Sequence, residues 1–148
     1  MRPAPPGFDP DIWSVLETAR AQSEAGDTAT ALSSYAALWE TCINKRDHYH
    51  ASVVAHLAGV AESDIPKKHE WNLRALREAE AVPDQSRVKE TYASTLNNLG
   101  MSYAQLGHHE KAREIFDRAV RSADDLAPGP YADAVRSGIE RNIARLRG

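Results

Sequence analysis

Six histidines and a single cysteine are the side chains best suited to metal or nucleophilic chemistry here, and their spacing limits what they can do. His48 and His50 stand two apart, so a helix points them to different faces, and His108 and His109 are adjacent beside a turn. No HExxH or comparable pair occurs, and no metal is expected. His69 falls in an apolar helical stripe, where a buried, satisfied ring is expected rather than a ligand. Glu17 and His56 would make an acid–base pair if brought face to face, since imidazole near neutrality suits proton transfer. Ser52 lies one helical turn before His56, a spacing that any helix produces. No glycine-rich phosphate loop, GxSxG or paired-carboxylate signature supplies the rest of a catalytic set. Catalysis is therefore not the expected activity, and no cofactor is expected. Cys42, alone, excludes an internal disulfide framework and reads as a core thiol.

Positioning such residues is the task of the whole chain. Its 148 residues, 42% of them hydrophobic, suit one continuous core. A formal charge of −3 gives no overall pull toward nucleic acid or anionic membrane. No apolar run approaches the ~20 residues that span a bilayer, so a cytoplasmic protein is expected. Arginine outnumbers lysine 13 to 5, in keeping with a GC-rich coding genome. Residues 1–10 carry four prolines and a glycine and should form a flexible, extended arm. Asp11 is positioned to cap a first helix striped by Ile12, Val15, Leu16 and Ala19. Asp27 or Thr28 should cap a second, carrying Ala31, Tyr35 and Leu38.

The most regular stretch is further on. Leu96, Leu99, Gly100 and Tyr103 fall at i, i+3, i+4 and i+7 of one helix, Gly107 ends it, and Ala112, Phe116 and Ala119 stripe the next. This arrangement resembles the tetratricopeptide repeat, with Leu96 where tryptophan is commonest and no proline after the second helix. Gly26, Ala31, Tyr35 and Leu38 precede Gly107, Ala112, Phe116 and Ala119 by one constant offset of 81, which makes a second match. Between them lies a degenerate third copy, with Val54, Leu57, Ala58 and Ala61 on its first helix. A break at Ser63–Pro66 separates these from His69, Leu73 and Leu76 on its second. Tyr131 to Arg147 reads as a capping helix, with Gly138 in the place of Gly100. The resemblance, to a small bacterial protein of this family, implies an all-α, right-handed superhelix of antiparallel helix hairpins. The repeats span about 11–46, 48–82 and 86–125, with a cap helix at 130–147, in one domain from 11 to 148.

In this family the first helices of successive repeats line a concave groove, and the same implication carries over here. Projecting the stripes yields Trp13, Glu17 and Arg20, then Ser52, Ala55, His56 and Gly59, then Ser94, Asn97, Asn98 and Met101, and finally Ala132, Val135, Arg136 and Ile139. One column, Glu17, His56, Asn98 and Arg136, is wholly polar. The expected role is a non-catalytic scaffold that binds a protein or peptide segment through Glu17, Arg20, His56, Asn97, Asn98, Met101 and Arg136. A small-molecule or catalytic pocket around the polar column is the alternative, and homodimerisation through an apolar edge a third reading. The lysine–asparagine clamp that holds chaperone tails falls here on Leu16 and Arg20, and its later basic pair on Ser94 and Asn98, so such a tail does not fit.

Overall fold

A computed structural model describes residues 2–148. It is all-helical, built of tetratricopeptide-like hairpins: α1 (Pro10–Glu24), α2 (Thr28–Asn44), α3 (His48–Ala61), α4 (Ile65–Ala81), a short 3-10 helix (Gln85–Arg87), α5 (Lys89–Gln105), α6 (His109–Asp124) and α7 (Pro130–Leu146). No helix among the described residues is long and apolar enough to cross a membrane.

Aspartates start most of the early helices. Asp9, not Asp11, caps α1, accepting from the N–H groups of Asp11 and Ile12. Pro10 decides this, because its fixed φ and missing N–H suit the first helical position and move the cap back by one. Asp27 and Asp47 cap α2 and α3, and Asp64 accepts from Lys67 N–H to start α4. The turns after α1, α2 and α5 share one geometry, with a left-handed residue at Gly26 (φ 92°), Arg46 (φ 55°) and Gly107 (φ 85°). In each, the next N–H reaches back five residues: Asp27 to Gln22, Asp47 to Cys42 and His108 to Tyr103. Arg46 therefore holds a glycine's conformation despite its Cβ.

Two compact units divide the chain, one running to Ala81 and the other starting at Val82. In the first, Leu16, Ala19, Ala31, Tyr35, Cys42, Val54 and Ala58 are buried at 2% exposure or less. Burial pushes the Cys42 thiol up to about 11. Trp39 and Trp71 meet edge to face, and Arg74 stacks over both rings at 4.8 and 4.7 Å. The α3–α4 hairpin corrects the expected register by one residue in each helix. Gly59, not Ala58, is the close-approach position: a Cβ there would lie 2.6 Å from Asn72 Oδ1. On α4 the buried residues are Trp71, Asn72, Ala75, Leu76, Glu78 and Ala79, while His69 and Leu73 are only half-buried. Lys68 crosses back to donate its ammonium to the Gly59 carbonyl near the end of α3.

The second unit follows the expected register. Leu96, Leu99, Ala112, Phe116 and Ala119 are buried, and Gly100 lets the Phe116 ring lie where a Cβ would be 2.5 Å away. Tyr103, at the end of the stripe, is half-buried and meets His108 edge to face. Pro130 opens α7, which packs against α5 and α6 through Ala132, Ile139 and Asn142. Gly138 does not repeat the role of Gly100: its nearest neighbour, Asn97 Nδ2, would stand 3.6 Å from a Cβ.

Candidate functional site

On α1, one helical face presents Trp13, Glu17 and Arg20. Glu17 Oε1 accepts from Arg20 Nη1 at 3.1 Å one turn on, and the Arg20 guanidinium lies 6.0 Å from the Trp13 ring centroid. The N-terminal arm lies on this same face. Arg2 Nη2 reaches Glu17 Oε1 at 3.1 Å and Arg2 Nε reaches Oε2 at 3.4 Å, while Trp13 Nε1 donates to the Arg2 carbonyl at 2.8 Å. The Arg2 guanidinium is also 6.0 Å from the Trp13 centroid. Past this cluster an open concavity continues along α1, lined by Glu17, Thr18, Ala21, Gln22 and Ala25. Gln22 Oε1 is buried without a hydrogen-bond partner among the described residues.

The prolines do keep the arm out of a helix, yet Phe8 fixes its root. Phe8 is 7% exposed and packs edge to face on Trp13 (5.3 Å), Tyr49 (5.8 Å) and His50 (4.6 Å). Asp9 N–H donates to His50 Nε2, which requires a lone pair there, so Nδ1 carries the proton and donates to Asp47. Neither the arm's contacts nor Phe8 was singled out from the sequence. The signal was present: Phe8 before the Asp9 cap and Trp13 four positions into the helix have the spacing of a hydrophobic staple.

Along α3, His48 and His50 do diverge. His48 Nδ1 pairs with the buried Glu78 carboxylate at 2.6 Å, while His50 turns to Asp47 and the arm. Among the described residues no three His, Cys, Asp or Glu side chains are grouped to hold a metal ion. Ser52, Ala55 and Gly59 are buried, so they are packing positions rather than groove surface, and Ser52 Oγ donates to the Tyr49 carbonyl. His56 is half-buried, and loss of solvation alone lowers its imidazole below the ordinary 6.5. With the register moved by one, Leu57 rather than His56 takes the second repeat's place in the column of Glu17 and Asn98. Glu17 meanwhile is engaged by two arginines, so an acid–base pair with His56 is not assembled.

In the second unit the candidates divide. Asn98 and Met101 are half-buried on α5, and Met101 borders a cleft of about 250 Å³ with Ala104, Gln105, His109, Phe116, Asn142 and Arg145. Asn97 Oδ1 instead accepts from Asn142 Nδ2 at 2.9 Å, and Arg145 donates to Asn142 Oδ1, tying α5 to α7. Arg136 Nη2 lies 3.3 Å from Asp124 Oδ1 and 3.5 Å from the Ala123 carbonyl, at the C-terminus of α6 where a cation is favoured. Both side chains are placed to hold the cap helix.

Residues 93–126 match the family model of the tetratricopeptide repeat. No curated protein and no solved structure matches the chain.

Proposed function

We propose, for a protein whose residues 93–126 match a tetratricopeptide repeat and whose general role is that of a protein–protein interaction scaffold, that helix faces within each unit, α1 and α3 in the first and α5 in the second, bind extended peptide segments without catalysis. Glu17, Arg20 and His56 make the contacts of the first unit in this reading and Asn98 and Met101 those of the second, where Asn97 and Arg136 keep α7 in place. The single observation that carries it is the hydrogen bond from Trp13 Nε1 to the Arg2 carbonyl, by which the face of α1 already takes a main-chain group of a non-helical segment. Amide and carboxylate side chains one turn apart on a helix can bond peptide groups in the same way. Exposed apolar side chains give little support to a homodimer, since Val15, Val60, Val120 and Tyr131 sit on four different helices.

A display library of short unstructured peptides, selected on the full chain, tests the reading. Peptides that bind should lose about tenfold or more in affinity, ~1.4 kcal/mol or above, to a Glu17→Gln variant where they sit on the first unit or to an Asn98→Ala, Met101→Ala variant where they sit on the second, with helical content unchanged in each. Failure to enrich any peptide, or affinity indifferent to both variants, would overturn it.

A further inference from the structure

We propose that residues 2–6 are a displaceable strap over the α1 face, and that the partner segment replacing them presents an arginine in an extended chain. The inference rests on the peptide-binding reading and adds both the chemistry of the ligand and a means of control. Three groups of α1 are taken up by one residue, Arg2: Glu17 Oε2, one side of the Trp13 ring, and the Trp13 indole N–H. When the strap leaves, Glu17 keeps Arg20 on Oε1 and the Trp13 ring keeps Arg20 and Phe8 beside it, but Oε2 and the indole N–H lose their partner together and the ring loses one of its two guanidinium neighbours. What fits all three at once is a guanidinium, whose separate nitrogens reach both carboxylate oxygens beside the ring, joined to its own backbone carbonyl. A lysine ammonium, a single point charge, does not reproduce that fork.

The strap can be lost without unfolding its root. The Arg2 side chain is 63% exposed in its ion pair with Glu17, a class of contact that contributes little, whereas Phe8 is buried. The strap runs antiparallel to α1, with Phe8 near the helix start and Arg2 at mid-helix. Ligand residues preceding the arginine would therefore run toward the open concavity at Ala21, Gln22 and Ala25.

The test uses the full chain and a blocked synthetic peptide, acetyl-Arg-Pro-Ala-Pro-Pro-amide, followed by NMR at the Trp13 indole N–H. Arg2→Glu sets like charge against Glu17 and should expel the strap. The indole signal of that variant should then shift saturably with peptide, at a concentration about tenfold below that needed for wild type, as a tethered competitor in the millimolar range predicts. A peptide with Lys for Arg should bind several-fold more weakly, and Glu17→Gln in the Arg2→Glu background should remove that difference. No saturable shift in Arg2→Glu, equal affinity in wild type, or equal binding of the Lys peptide would each overturn the proposal. If library peptides still bound through Asn98 and Met101, the peptide-binding reading would survive and only the strap and its arginine would fall.

Discussion

Gly59, Gly100 and Gly138 occupy three first-helix positions and should answer differently to the same methyl group. Gly100→Ala drives a Cβ into the Phe116 ring at 2.5 Å, and overpacking of this kind costs about 1–3 kcal/mol. Gly59→Ala meets one side-chain atom, Asn72 Oδ1 at 2.6 Å, where Gly100→Ala meets two atoms of a ring, so its cost should be smaller. Gly138→Ala has ordinary contact distances and should stabilise by about 0.5–1 kcal/mol through helix propensity. Thermal unfolding of the three variants checks the order; a stable Gly100→Ala would undo the register of α5 against α6. These residues also show why one hairpin was legible and its neighbour was not. Around Gly100 large apolar residues alternate with polar ones, so only one face can be the core. In α3, Val53, Val54, Ala55, Leu57, Ala58 and Val60 are apolar almost all round, and a stripe shifted by one reads equally well. Asn72, standing where Phe116 stands, removes the remaining clue.

At the scale of elements, caps and staples carry much of the start of the fold. The Ile12 N–H, with that of Asp11, holds the Asp9 carboxyl below its usual 3.8. A carboxyl depressed in the folded state adds stability above its unfolded value and loses it as pH falls through the folded one. Asp9→Asn keeps an acceptor for the cap but not the charge. Wild type should melt above this variant at all pH values over 3.8, and the gap should close in stronger acid. A gap that persists there would assign the effect to something other than the titrating cap. The helices themselves were readable from periodicity and capping residues. The seat of the arm was not, because Phe8 contacts Tyr49 and His50 from the other end of a hairpin, and composition marks only the absence of helix around its prolines.

For the molecule as a whole, the tetratricopeptide pattern was visible at both ends of the chain, but the division at residues 81 and 82 was not, since no composition shift accompanies it. Repeat stacks are held mainly by nearest-neighbour contacts, and damage to one hairpin need not spread. Phe116→Ala, which removes a ring 1% exposed and should cost about 3–5 kcal/mol, provides the measurement. Hydrogen-exchange protection should fall across residues 82–148 by more than across residues 2–81. An equal loss throughout would show that the chain unfolds as one block, as the expected single domain would. Such experiments benefit from Cys42. The chain's one thiol is buried and stays protonated well above neutral pH, so it reacts poorly with maleimides. A second cysteine placed on the strap or on α7 can therefore take a fluorophore or spin label alone, with the native residue left in place.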